Sequence, residues 1–230
     1  MKDEAREYFK EILEHVKARE IEKYGRVLTD EERDAIDKEE EREREDEKKR
    51  EFIRERFTHF IDTVPPRYID STFDSFEGYE DKIEFLKKGK SAILFGGNGT
   101  GKTHLGYAYC RYFAEQGKRA MFVMAYKFFD DIKRSFEDNS TSKVLGCYKD
   151  LDYLVIDEID KSYGSPTEFV HLYHLVNERY NHMLPTVLIT NAKREGLTEL
   201  LGASVLDRIA SEGAIIEMVG GNYRKKIGVA

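Results

Sequence analysis

Eight residues constrain this chain more than any others. Gly96-Gly97-Asn98-Gly99-Thr100-Gly101-Lys102-Thr103 satisfies the spacing G-x-x-x-x-G-K-[ST] at every fixed position. The apolar run Ala92-Ile93-Leu94-Phe95 precedes it and an amphipathic stretch from about Lys102 to Gly117 follows, so the motif joins a strand to a helix. Glycines let the loop wrap closely enough for successive backbone N–H groups to face a polyphosphate. The helix N-terminus adds its partial positive charge. Lys102 is then placed to reach the β- and γ-phosphates, and the Thr103 hydroxyl to ligate Mg²⁺.

A phosphate loop alone implies nucleotide, and hydrolysis needs a second constellation. Leu154-Val155-Ile156-Asp157-Glu158 supplies a buried strand ending in two adjacent carboxylates, 55 residues beyond the loop lysine. Asp157 is expected in the Mg²⁺ shell and Glu158 beside the attacking water. Asn191 follows the apolar run Val187-Leu188-Ile189-Thr190, where a polar side chain can sense a γ-phosphate or simply form a turn. Two arginines further on, Arg208 and Arg224, are the charges that a phosphoryl transition state requires.

The remaining pattern sets the fold class. Met121–Met124, Tyr153–Ile156 and Ala214–Met218 are further short apolar runs, with helical stretches over Tyr126–Glu137 and Thr167–Met183. Continuous apolar strands separated by helices predict an α/β fold, a parallel five-stranded sheet between helices.

The first sixty residues differ. They hold 21 acidic and 16 basic side chains, against 24 and 22 in the rest of the chain, so most of the net charge of −7 belongs to them. Phe9, Ile12, Leu13 and Val16 recur at helical spacing, and Thr29-Asp30-Glu31-Glu32 reads as a capping box. Residues 37–51 are charged without a break, which suits a solvated helix laced with i,i+4 pairs. Phe52, Ile53, Phe57, Phe60 and Ile61 restore an apolar face before Pro65-Pro66, and a proline pair ends any helix. The expected boundary separates a charged helical segment, 1–63, from a nucleotide-binding domain, 64–230. The two cysteines, Cys110 and Cys147, match neither a zinc site nor a disulfide framework. No stretch approaches a membrane span and the N-terminus does not open a signal peptide, so a cytoplasmic setting is expected.

The ordered set of motifs resembles that of AAA+ ATPases, and within them the DnaC/DnaI-type helicase loaders and their relative IstB, an ATPase helper of a transposase. The resemblance spans about residues 64–226. It includes Pro65-Pro66-Arg67-Tyr68 and Ser71-Thr72-Phe73-Asp74-Ser75-Phe76 ahead of the loop, and Gly99-Thr100-Gly101-Lys102-Thr103-His104-Leu105 with its histidine. It continues through Leu201–Arg208 and Asn222-Tyr223-Arg224. The resemblance implies ATP as the nucleotide, His104 within the nucleotide motif, Arg208 as a finger acting in trans on a neighbour's ATP, and Arg224 acting in cis. It also implies a helical or ring-like oligomer, and a lid domain that is reduced or absent. Lys133 and Phe136 fall at loader positions associated with single-stranded DNA. Their helix, with Phe128, Phe129 and Ile132, is equally suited to packing into a core.

The expected function is therefore that of an ATPase delivering a replicative helicase onto single-stranded DNA, with residues 1–63 meeting the helicase. One alternative is an IstB-like helper acting on duplex DNA. Another is an adaptor that binds nucleotide with little turnover. Ile159-Asp160-Lys161-Ser162-Tyr163-Gly164-Ser165 after the carboxylate pair departs from the Leu-Gly-Tyr-Leu-Pro type of segment in IstB-like chains, which favours the loader.

Overall fold

The computed structural model of the protein describes residues 2–162 and 165–220. The chain divides into two packed units, Met1–Glu51 and Phe52–Ala230. In the first, helix α1 (Lys2–Tyr24) ends at Gly25, whose φ of +74° breaks the helix, and α2 (Asp30–Thr63) begins after a short turn. The capping box forms as the sequence suggests: the Thr29 hydroxyl accepts from the Glu32 amide at 3.2 Å, and the Glu32 carboxylate accepts from the Thr29 amide at 2.9 Å. Glu20 is buried and accepts from the Leu28 amide and from Arg33 Nη2, each at 3.0 Å, which closes the helix pair. Along the charged run, Glu40–Arg44 at 3.0 Å is an i,i+4 pair of the expected kind, and Glu39–Arg42 at 2.8 Å is an i,i+3 pair. On α1, Ile12, Leu13 and Val16 are exposed, at 44%, 45% and 41%.

The last turns of α2 belong to the second unit, where Phe60 joins Val64, Phe73 and Phe76 in the core. The chain continues through α3 (Glu80–Lys87), β1 (Ala92–Phe95), α4 (Lys102–Ala114), β2 (Ala120–Met124) and α5 (Ala125–Arg134). Next come α6 (Thr141–Lys149), β3 (Tyr153–Asp157), α7 (Ile159–Ser162), α8 (Pro166–Asn181) and β4 (Thr186–Thr190). It closes with α9 (Leu197–Leu201), α10 (Ala203–Glu212) and β5 (Ala214–Glu217). The strands form one sheet in the order β2-β3-β4-β1-β5, every pair parallel.

Successive strand residues point to opposite faces, and the two cores follow that alternation. Ala92, Leu94, Val155, Val187 and Ile189 pack on one side with α4 and the segment from Phe60 to Leu86. Ile93, Phe95, Leu154, Ile156 and Leu188 pack on the other with residues of α5, α8, α9 and α10. Burial on both faces explains why the strands read as unbroken apolar runs.

The expected strands all form. The expected helices form with shifted ends, α4 stopping at Ala114 before the turn that closes Gly117 onto Ala114. Helix α8 starts earlier than its apolar pattern suggests, because Ser165 caps it reciprocally with Glu168 and Pro166 opens its first turn. Helices α3 and α6 are short and had no sustained apolar period to announce them. Among the described residues no helix is long and apolar enough to cross a membrane.

Arg179 is the largest fully buried side chain. Its guanidinium donates to the carbonyls of Tyr148, Lys149, Leu151 and Pro185 at 2.6–3.0 Å and to the Thr186 hydroxyl at 2.9 Å. One planar cation thus fastens the end of α6, the start of β3 and the start of β4 to α8. Burial pulls its pKa down to about 10, against the opposing pull of Tyr109, Asp152 and Asp150, so it remains charged at neutral pH.

Candidate nucleotide-binding site

The parallel register brings the carboxyl ends of the strands to one edge, with Phe95 opposite Thr190 and Met124 opposite Asp157. Ligand sites of open parallel sheets form outside such an edge. The phosphate loop leaves β1 there and turns into α4. Gly99 and Gly101 take φ values of +82° and +94°, a backbone that side-chain-bearing residues adopt only at a cost. Thr100 braces the loop by donating to the Gly97 carbonyl at 3.0 Å.

Lys102 curls back over this loop, its ammonium donating to the Gly96 and Gly97 carbonyls at 2.7 Å each. Only 6% of the residue is exposed. Burial lowers its pKa, while Asp157 and Asp160 pull it back up. Asp157 shows the complementary response: burial raises its pKa, and the Thr103 hydroxyl and Glu158 amide that donate to it oppose that rise. The two desolvated charges suit partners of opposite sign, an anion over the lysine and a cation beside the aspartate.

The Thr103 hydroxyl donates to Asp157 Oδ2 at 2.7 Å. This places a hydroxyl and a carboxylate oxygen together at the mouth of the loop, the hard-oxygen chemistry that Mg²⁺ takes. Among the described residues no three His, Cys, Asp or Glu side chains gather into a metal cage.

Glu158 stands at φ +56°, a left-handed conformation that costs a residue with a Cβ roughly 1–2 kcal/mol. Its amide donates to Asp157 Oδ1 at 2.6 Å and its carbonyl accepts from the Lys161 amide at 3.0 Å, which holds the turn. Its carboxylate is ion-paired with Lys161. Asn191, just past β4, is held by Asp160: the carboxylate accepts from the Asn191 amide at 2.9 Å, from its Nδ2 at 3.3 Å and from the Thr190 hydroxyl at 2.9 Å.

The structure therefore brings together Gly96–Thr103, Asp157, Glu158 and Asn191. His104 turns away from the loop. Its ring nitrogens lie 3.2 Å from the Ser71 and Ser75 hydroxyls, and its ring meets Tyr68 and Phe76 edge-on. It thus fastens the segment before α3 to the first turn of α4. Arg208 donates to Asn177 Oδ1 at 2.9 Å, to the Ser204 carbonyl at 3.1 Å and to Tyr173 Oη at 3.4 Å. None of these belongs to the phosphate loop or to the end of β3. Arg224 lies outside the described residues. Lys133 in the last turn of α5 and Phe136 in the turn just after it are exposed, while Phe128, Phe129 and Ile132 are buried. Asp160 and Lys161 also belong to the site, though no motif in the sequence marks them. A carboxylate two residues past Glu158 was their only signal.

The sheet order and the loop are those of an AAA+ P-loop fold, and the chain belongs to the family described as IstB-like ATP binding protein, which matches residues 80–229. It is similar to the replicative helicase loader DnaC of Escherichia coli K12, with 32% identity over 152 residues. That match covers 59% of this chain and 62% of the relative, so the chain spans less than two thirds of that relative's length. An insertion-sequence ATP-binding protein of Bacillus thuringiensis is 26% identical over 149 residues, 63% of this chain and 59% of the relative. Among solved structures, the DnaC helicase loader superposes with a TM-score of 0.60 at 20% identity, covering 67% of this chain and 100% of that one. The initiator DnaA bound to AMPPCP and single-stranded DNA gives 0.60 at 21%, covering 72% and 54%. These two likenesses are likenesses of fold.

Proposed function

We propose that the chain is an ATPase of DNA replication that loads a replicative helicase onto single-stranded DNA. The observation that carries the reading is the junction of Thr103 with Asp157 under Lys102, with Glu158 set on a strained turn beside it. The 32% identity to a helicase loader supports placing that ATP site in replication rather than transposition.

In this reading, backbone amides of Gly96–Thr103 and the Lys102 ammonium bind the ATP phosphates, and Thr103 and Asp157 hold Mg²⁺. An ion held there would supply positive charge against the phosphates. Glu158 takes up the proton of the attacking water once its carboxylate is released from Lys161. Asn191 orients water or γ-phosphate, and Arg224 completes the site in cis. Arg208, engaged with α8 and its own helix, supplies charge to a neighbour's site when copies assemble in a helix or ring. Lys133, in the last turn of α5, and Phe136, just past it, offer single-stranded DNA a cation and an aromatic face. Lys127 and Arg134 on that helix are paired with Asp131 and Asp130, whereas no carboxylate among the described residues pairs with Lys133. The helicase is met through residues 1–63, where Ile12, Leu13 and Val16 of α1 are exposed.

The test is ATP turnover of the full chain with single-stranded DNA, duplex DNA and a replicative helicase added in turn. Stimulation by single strands and a stable helicase complex are expected. Glu158→Gln should bind ATP without turnover, and Lys102→Ala should not bind it. Stimulation by duplex DNA alone, with indifference to helicase, would move the assignment to a transposition helper.

A further inference from the structure

Asp160 stands three residues past Asp157, in the first turn of α7. That short helix is anchored by Ile159, which is fully buried in the core. Its carboxylate is aimed at the end of β4. Oδ1 accepts from both the Thr190 hydroxyl and the Asn191 amide at 2.9 Å, and Oδ2 accepts from Asn191 Nδ2 at 3.3 Å. Thr190 is itself buried, and its hydroxyl oxygen accepts from the Ala192 amide at 3.0 Å. Burial alone would raise the carboxyl's pKa. The donors of Asn191 and Thr190 outweigh it and hold the group ionised.

An ionised carboxylate only accepts hydrogen bonds. The amide of Asn191 must therefore present its nitrogen to Asp160. This fixes which end of the amide is which, leaving the carbonyl oxygen and the second N–H for other partners. A neutral neighbour in the same place would tolerate either orientation. We propose that Asp160 is the positioning residue of the site: it orients the Asn191 side chain and ties it to the turn that carries Glu158, so that the group sensing the γ-phosphate and the candidate base move as one body. Asp160 touches no reacting atom: its hydrogen bonds reach the site through Asn191 and Thr190, and its charge also helps keep Lys102 protonated.

The proposal rests on the ATPase reading, and its test has an arm independent of turnover. Affinities for ATPγS and ADP are measured on the full chain by competition with a fluorescent nucleotide, for the unmodified protein, Asp160→Asn, Asp160→Ala, Asn191→Ala and the double variant Asp160→Ala with Asn191→Ala. The expected result is ADP affinity within about threefold of the parent. The preference for ATPγS over ADP should fall about tenfold, the size of one lost hydrogen bond to a charged group. Where turnover is measurable, kcat should fall by up to about 10²-fold with KM little changed. The double variant should lose no more than either single alanine variant, because both remove one unit.

Three results would overturn the proposal. One is an unchanged ATPγS preference in both Asp160 variants, or no such preference in the parent. Another is a parallel loss of ADP and ATPγS affinity, the mark of a merely structural role. The third is additive losses in the double variant. Failure of the ATPase reading shows separately, as absence of turnover under every condition with the ATPγS comparison still deciding the role of Asp160.

Discussion

Gly106 lies one turn past the phosphate-binding residues on α4, where that helix presses on the sheet. A Cβ added there would sit 2.8 Å from Ile189 Cδ1, 2.8 Å from Phe122 Cε2 and 3.1 Å from Val155 Cγ1. The Ile189 methyl can swing aside. The Phe122 ring is stacked on Tyr107 with centroids 3.8 Å apart, and Val155 is fully buried and stiff at χ1. Relief must therefore come from α4 itself, which shifts by several tenths of an ångström. Helix propensity alone would make Gly106→Ala stabilising by about 1 kcal/mol. Overpacking of a tight core costs about 1–3 kcal/mol, and with two stiff neighbours we place the net effect at about 1.5 kcal/mol of destabilisation. Lys102 and Thr103 ride on the same helix, so ATP affinity should fall several-fold as well. The checks are urea unfolding followed by circular dichroism and nucleotide titration at a concentration of denaturant well below the transition. A raised unfolding midpoint, or unchanged nucleotide affinity in a destabilised variant, would refute the argument that this glycine sets the distance between loop and sheet.

Arg179→Met should destabilise the second unit by about 4 kcal/mol, because four main-chain carbonyls lose a buried charged donor; thermal unfolding at neutral pH measures it, and a shift below ~1 kcal/mol would show that water replaces the guanidinium there. Arg208→Ala should leave ATP binding intact and abolish the stimulation of turnover by assembly, and normal stimulated turnover would exclude the trans role. Replacing both Lys133 and Phe136 by alanine should weaken single-strand binding by about 1–3 kcal/mol with little change in stability; fluorescence anisotropy at fixed salt reads the first and urea unfolding the second, and unchanged affinity would assign α5 to the core alone.

Much of the site was legible because its chemistry is written in contiguous residues. The phosphate loop and the pair Asp157-Glu158 each occupy a few adjacent positions flanked by an unmistakable apolar strand. Local geometry alone puts their polar groups at the strand ends. The capping box at Thr29 and Glu32 was readable for the same reason, since both partners lie within one turn. Asp160 was not readable. Its partners Thr190 and Asn191 are 30 and 31 residues away in sequence, and an aspartate after a strand is an ordinary surface residue until β4 is laid beside β3.

The same distinction separates the remaining side chains. His104 follows the loop in sequence, yet its ring is spent on Ser71 and Ser75, 33 and 29 positions earlier. Nothing in the local sequence of α8 marks Arg179, and only the convergence of α6, β3 and β4 turns it into a buried hub. The five strands, the loop between β1 and α4 and the acids after β3 follow from residue order, because backbone periodicity and glycine chemistry act over a few residues. The tertiary structure decided the strand order, the direction of each polar side chain and the partners of Asp160, His104 and Arg179, because hydrogen bonds between distant segments exist only once packing has brought those segments within 3 Å or so of one another.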